Sequence, residues 1–456
     1  MKKRNLWYKY HFQVIDNSQS RLRSPAMIIL CGYSLILLPS TFFLMTNFAS
    51  VTGLNWIDAL FTATSALTVT GLGVVDTGTH FSAAGHIWLV ILMQLGGLGQ
   101  MTLSVLILLT LGKRISMKGQ ALVREELNQN FDTNILVLIK KIIIFALISE
   151  TIGALILSTI WIPEFGFWQG TYHSIFHAIS SFNNAGFSLF SQSMTDYAHN
   201  PVVTLTIAAL FIVGGLGFTV IIDLLKYSQL NGHKISLHSK LVLITSSLLL
   251  VLGTLIIWRL ELNNPKTLGD HATWRGLLMA FFQSASARTA GFNSINIIDM
   301  THAGLLVMLV LMFIGAGSTS TGGGIKVSTF AIAIIATRSF LQGSTKFSAF
   351  KRNIPAVIIL KALAIIVVSF GILLTATFLL MLTESARFDV VLFEAISAFS
   401  TVGLTAGLTE SLSPVGKMIM IVLMIVGRIG PITLAYLAAA PKTSHIQYAD
   451  EDVMTG

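Results

Sequence analysis

The chain has 456 residues, of which 54% are hydrophobic and only 11% charged, with a mean hydropathy of +0.77. Such a composition excludes a soluble polar surface, because nearly every element would have to be buried. The formal net charge of +9 does not point to nucleic acid, since the basic residues are dispersed among membrane-flanking connections and are not interleaved with stacking aromatics.

About 20 mostly apolar residues suffice to cross a hydrocarbon core of ~30 Å. In chain order, eight such spans are predicted: 26–47, 86–111, 135–160, 202–225, 241–260, 303–336, 356–382 and 416–438. No linker divides them, so one membrane-embedded unit is expected. The first span is long enough to be retained, and no cleaved signal peptide is read. Cys31 lies in that span and reads as an inert small hydrophobe.

Between the first and second span of each pair lies a shorter apolar stretch of about a dozen residues, too short to cross and better suited to a re-entrant half-helix. Each begins at a phenylalanine and reaches a glycine ten residues later: Phe61 and Gly71, Phe176 and Gly186, Phe281 and Gly291, Phe393 and Gly403. A second glycine motif recurs 24 to 28 residues further on, at Gly96-Gly97-Leu98-Gly99, Gly214-Gly215-Leu216-Gly217, Gly315-Ala316-Gly317-Ser318 and Gly427-Arg428-Ile429-Gly430. Four copies of span, half-helix, glycine turn and span follow, all in one orientation. The fold class expected is an all-α membrane protein with eight transmembrane helices in four parallel repeats around a pseudo-fourfold axis.

Lysines and arginines set the orientation. Six lie in the amino-terminal tail (Lys2, Lys3, Arg4, Lys9, Arg21, Arg23) and six between the second and third spans (Lys113, Arg114, Lys118, Arg124, Lys140, Lys141), whereas 49–85 and 162–201 contain none. The glycine turns are therefore expected on the outer side and both termini in the cytoplasm. The divisions drawn are a tail at 1–24, repeats at 25–112, 113–225, 226–337 and 338–440, and a tail at 441–456.

A potassium ion that leaves water needs replacement oxygens, and a ring of inward-turned backbone carbonyls supplies them without a fixed charge. Glycine permits the unusual dihedrals such a ring demands, and a half-helix ahead of it aims the negative end of its dipole at the ion. The expected potassium selectivity filter is Thr68, Val69, Thr70 and Gly71; Asn183, Asn184, Ala185 and Gly186; Arg288, Thr289, Ala290 and Gly291; and Ser400, Thr401, Val402 and Gly403. Arg288 is the odd member, and its charge is expected to turn away from the axis toward a carboxylate or carbonyls. Asp58 and Glu394 are the acidic residues of the half-helices, read as structural pairing partners. His173 and His177 lack a partnering carboxylate motif and read as satisfied polar positions rather than metal ligands.

The sixth span is interrupted by Gly315, Ala316, Gly317, Ser318, Thr319, Ser320, Thr321, Gly322, Gly323, Gly324, Ile325 and Lys326, a stretch with five glycines and four hydroxyls. It is not expected to stay helical, and irregular backbone at membrane depth is tolerated only against protein or a water-filled cavity. It fails the phosphate-loop pattern, because Val327 follows Lys326. The expectation is a gate of residues 315–324 with Lys326 and, from the eighth span, Arg428.

The four half-helix and glycine repeats, the 315–326 loop and Gly427-Arg428-Ile429-Gly430-Pro431 together resemble the Trk/Ktr/HKT superfamily of cation transporters over nearly the whole chain. The span count and modest length are closer to the bacterial Ktr membrane subunits than to the longer Trk ones. The resemblance implies potassium uptake through a pseudo-tetrameric pore, a homodimer in the cell (inner or plasma) membrane among its lipids, and gating by the intramembrane loop. It also implies a separate cytosolic RCK-type, KtrA-like ring as regulatory subunit, on which alone ATP or ADP would bind; no βαβ dinucleotide unit is found in this chain. No covalent cofactor is implied, and dependence on sodium stays open. Plant members that prefer sodium typically carry serine at the first filter glycine, so Gly71 favours potassium, and Ala316 is a mild departure. A membrane enzyme or an alternating-access carrier is the competing class, but convergent catalytic groups are not found, and a carrier would usually show two inverted repeats rather than four parallel ones.

Overall fold

The computed structural model describes residues 25–98, 135–229, 234–269, 271, 273–344 and 346–430. The basic amino-terminal tail, residues 99–111 of the second predicted span, Lys113, Arg114, Lys118 and Arg124, Pro431 with the end of the eighth span, and the carboxy-terminal tail lie outside the described residues.

Within the described residues the protein is helical. Helices α1 (Pro25–Leu44), α2 (Trp56–Leu67), α3 (Thr77–His80) and α4 (Ala83–Gly97) come first. They are followed by α5 (Ile135–Phe165), α6 (Phe167–Phe182), α7 (Pro201–Leu216) and α8 (Phe218–Gln229), and then by α9 (Leu237–Glu261), α10 (Thr273–Ser286), α11 (His302–Phe313) and α12 (Val327–Leu341). Helices α13 (Ala356–Thr383), α14 (Phe388–Phe399) and α15 (Pro414–Ile429) complete the series. A small antiparallel hairpin, β1 (Ser348–Ala349) and β2 (Arg352–Asn353), precedes α13, its turn made by the left-handed pair Phe350 and Lys351. Ser82, Asn200, Ser236, Thr301 and Ser413 cap α4, α7, α9, α11 and α15 through their side chains, which satisfies amide groups left free at a helix start.

Among the described residues, three helices are long and apolar enough to cross a membrane: Ile139–Phe165, Leu237–Glu261 and Ala356–Thr383. Only 22% to 33% of their most apolar stretches is buried in the protein, so these helices present a broad apolar outer face of the kind lipid covers.

Two of the expected spans are not continuous. The fourth, read as 202–225, is two helices, α7 and α8, bent by 95° at Gly217. The bend has a local cause: Gly217 sits at φ +96°, a Cβ there would lie 2.3 Å from the Ser318 carbonyl oxygen, and Phe218 N donates instead to the Thr319 carbonyl at 3.0 Å. The sixth, read as 303–336, is α11 and α12 joined by the non-helical residues 314–326. Its backbone groups find partners all the same: Gly315 N donates to Ile325 O (2.9 Å), Val327 N to Ala316 O (3.1 Å) and Gly317 N to Gly215 O (2.9 Å).

The second glycine motif also has a packing cause. A Cβ at Gly96, Gly214 or Gly427 would lie within 2.0 Å of the carbonyl oxygen of Leu67, Phe182 or Phe399, the last residue of a short helix. Glycine lets α4, α7 and α15 close against those helix ends. Phe61, Phe176 and Phe393 are buried as anchors, but in the third copy the fully buried ring is Phe282 and Phe281 is only partly covered. Helix α10 ends one residue earlier relative to its glycine than the other three short helices do, which shifts the anchor.

Candidate functional site

The four glycines expected at the ends of the short helices meet at one place. Gly71, Gly186, Gly291 and Gly403 all have positive φ, at 92°, 70°, 79° and 93°. A Cβ on Gly71 would lie 2.4 Å from Ala185 O, one on Gly186 3.0 Å from Ala290 O, one on Gly291 2.4 Å from Val402 O, and one on Gly403 2.1 Å from Thr70 O. Each glycine thus abuts the segment of the next copy, and the fourth returns to the first, closing a ring in chain order.

A second left-handed residue stands two positions before each glycine: Val69 (φ 57°), Asn184 (57°), Thr289 (80°) and Thr401 (49°). Three of these are β-branched, for which such a φ is strained. Left-handed residues at both positions turn the intervening carbonyls out of the alternation of an extended strand, the geometry an inward-facing carbonyl row requires. The sequence reading assigned the strain to the glycines alone and missed this position, for which residue type carries no signal.

Serines in the last turn of each short helix hold these segments. Gly71 N donates to Ser65 Oγ (3.1 Å) and Gly403 N to Ser397 Oγ (3.2 Å), while Ser180 Oγ and Ser286 Oγ donate to Phe187 O (2.7 Å) and Phe292 O (2.6 Å). Three of the four, Ser65, Ser180 and Ser397, lie six residues before the glycine, a spacing the sequence displays and the reading passed over. Beyond the glycines, a polar residue of the short helix grips the returning loop. His177 Nε2 meets Ser188 Oγ (3.1 Å) and Leu189 N (3.2 Å), Gln283 Oε1 accepts from Ser294 N (3.1 Å), and fully buried Glu394 accepts from Thr405, Ala406, Leu408 and Thr409. His177 and Glu394 are thereby accounted for as structural groups, and no cluster of three metal-ligating side chains occurs among the described residues.

Arg288 turns to the Ser246 carbonyl (3.0 Å) and hydroxyl (2.9 Å) of α9, away from the ring. Asp58 is paired with Lys417 of α15 at 2.6 Å, both side chains largely covered at 16% and 13% exposure. This bond ties the first short helix to the last helix of the described chain. Lys417→Met is expected to lower stability by about 1–3 kcal/mol, the cost of leaving a charged partner unmatched, without altering ion preference; thermal melting in detergent alongside a flux ratio checks both halves.

The 315–326 loop lies against the ring from the side of the short-helix ends. Thr321 Oγ1 donates to Asn184 Oδ1 (3.0 Å), Gly323 N donates to Thr401 Oγ1 (2.9 Å), and Asn184 Nδ2 donates to Thr289 Oγ1 (3.2 Å). A Cβ on Gly322 or Gly323 would meet Thr289 Oγ1 at 2.1 Å or Thr401 Oγ1 at 2.4 Å, so the close approach depends on glycine. Lys326 Nζ donates to Gly322 O (2.5 Å), and the buried Arg428 guanidinium donates to the carbonyls of Thr321 and Gly96. Ser318 shares a hydrogen bond with Ser328, and left-handed Thr319 with Thr219. The loop and its two cations therefore contact elements of all four copies.

Residues 12–448 match the family model described as TrkH, cation transport protein. The chain belongs to this family of cation transport proteins. Among its relatives are the Ktr system potassium uptake protein B of Vibrio alginolyticus, 54% identical over 98% of both chains, and that of Bacillus subtilis (strain 168), 44% identical over 95% of this chain and 97% of the other. The crystal structure of the potassium transporter TrkH from Vibrio parahaemolyticus superposes with a TM-score of 0.73 at 18% identity, covering 94% of this chain and 86% of that one, and shows the shared fold. Membership makes the protein a membrane transporter and not an enzyme.

Proposed function

We propose that this protein takes up potassium across the cell membrane through a channel-like pore whose selectivity filter is the four glycine segments 68–71, 183–186, 288–291 and 400–403. The observation that carries the reading is the closed ring of positive-φ glycines, each against the carbonyl of the next copy. Dehydrated potassium would be held by these backbone carbonyls, with the short-helix C-termini directed at it. The architecture proposed is four parallel repeats of span, pore helix and span, bounded at 25–112, 113–225, 226–337 and 338–440, with the ring facing outward and both termini in the cytoplasm. The names of the relatives support potassium as the ion and a multi-part uptake system.

The loop 315–326, with Lys326 and Arg428, is the proposed gate. Its contacts to all four copies and the two cations that tie it down support that role. Opening would be driven by a cytosolic nucleotide-binding ring acting on a homodimer of this subunit.

Uptake by a potassium-deficient bacterium, with and without the regulatory subunit, tests the function. Gly71→Ser tests the filter: a Cβ at φ +92° and 2.4 Å from Ala185 O must displace that carbonyl, and the expected result is a potassium-over-sodium preference lowered by about tenfold. An unchanged ratio in competitive flux would refute the filter assignment.

A further inference from the structure

Two adjacent asparagines of the second glycine segment point in opposite directions. Asn184 meets the loop, as described above. Asn183 turns outward, its Nδ2 surrounded by three acceptors: Gln94 Oε1 (2.8 Å), Ile179 O (2.9 Å) and Glu150 Oε1 (3.1 Å). Gln94 Nε2 in turn donates to both carboxylate oxygens of Glu150, at 3.0 and 3.3 Å. A closed triangle of side chains thus joins α4, the membrane-length helix α5 and the second glycine segment.

Glu150 is only 5% exposed, and among the described residues no lysine, arginine or histidine forms a salt bridge with it. A carboxylate at this depth is costly, so its presence asks for a use. Gly97 marks the same place from the other side: a Cβ there would lie 1.9 Å from Asn183 Oδ1, so the helix leaves room for the amide. None of the corresponding residues elsewhere is held by a carboxylate: Thr68 donates to the Thr64 carbonyl of its own helix (2.7 Å), as Asn183 also does to Ile179, Arg288 is held by Ser246, and the Ser400 hydroxyl has no partner among the described residues. In the second copy an acid on the helix behind the ring does this work, and the residue it secures is next to left-handed Asn184. A strained backbone keeps its shape only when its surroundings over-determine it.

We propose that Glu150 is a positioning residue for ion selectivity: its carboxylate, with Gln94, fixes the Asn183 amide and so sets the carbonyls of the second quarter of the ring. The proposal rests on the filter reading above, and its test separates the two. Full-length variants are compared by competitive potassium and sodium uptake, normalised to the protein present in the membrane. Glu150→Leu is expected to lower the potassium-over-sodium ratio by about tenfold and to raise KM for potassium, with Glu150→Gln intermediate because one acceptor oxygen remains. Asn183→Leu should give the same loss, and adding Glu150→Leu to it should change the ratio by less than about twofold.

A purely structural role would reduce the amount of protein in the membrane and leave the ratio alone. A wild-type ratio in Glu150→Leu while Gly71→Ser lowers it overturns the proposal and leaves the filter reading intact, and additive losses in the double variant also overturn it. A wild-type ratio in both Glu150→Leu and Gly71→Ser overturns the filter reading and this proposal together. Where Glu150→Leu fails to reach the membrane, Gln94→Leu and Gly97→Ala disturb the same amide, and unchanged ratios in both overturn the proposal.

Discussion

Alanine at Gly403 is expected to lower selective potassium uptake by on the order of a hundredfold, the loss that errors of about 1 Å produce at preorganised sites. Two costs combine there. A φ of +93° disfavours any L side chain, by about 1–2 kcal/mol, and the new methyl would lie 2.1 Å from the Thr70 carbonyl oxygen and 3.0 Å from Gly71 Cα. Both neighbours are backbone of the adjacent copy, so neither can rotate aside; the ring must widen, and with it the carbonyl spacing. Gly166 separates the two costs, since it has φ +82° but a methyl there would meet nothing within 4 Å. Gly166→Ala should therefore carry the backbone cost alone, lowering thermal stability slightly while preserving the potassium-over-sodium flux ratio. Equal effects on that ratio at both positions would sink the proposed ring geometry.

The outline of this arrangement was legible in the sequence because a ring built from one chain must repeat its constraints. The glycine ten residues after a phenylalanine recurs because each copy needs the same positive φ, and the later glycine motif because three of the four copies need the same close approach to a helix end. Partners distant in sequence were not legible. The Glu150, Gln94 and Asn183 triangle joins residues 33, 56 and 89 positions apart, and nothing in local spacing predicts it. The break at Gly217 was missed for a related reason: hydropathy runs unbroken through 202–225, while the bend is set by loop residues Ser318 and Thr319 about 100 positions away. The third copy shows the limit of strict periodicity, since its helix ends a residue early and its buried anchor is Phe282.

Loosening the 315–326 loop should have the opposite effect on flux from breaking the ring. The loop is held by neutral bonds to Asn184 and Thr401 and by charged donors from Lys326 and Arg428. Hydrogen bonds from charged groups contribute about 1.5–3 kcal/mol each, against about 1 kcal/mol for neutral ones, so Arg428 is the dominant restraint. It bridges the loop carbonyl of Thr321 to Gly96 of α4. Arg428→Gln is expected to raise uptake by at least about tenfold, because losing roughly 1.4 kcal/mol from the closed state shifts the open population by that factor. Uptake should also depend less on the proposed regulatory subunit. Arg428→Lys keeps the charge but not the two-pronged donor, so it distinguishes mechanical release from removal of a field that repels cations: a similar rise means the tie is what closes the pore. Gly323→Ala reaches the same end by a different route, since its methyl would lie 2.4 Å from Thr401 Oγ1 and push the loop off the fourth segment. Folded Arg428→Gln and Gly323→Ala proteins that both transport at the wild-type rate would leave the loop without a gating role. A rise in both with an unaltered potassium-over-sodium ratio would place closure in the loop and ion choice in the ring, as two separable functions of adjacent backbone.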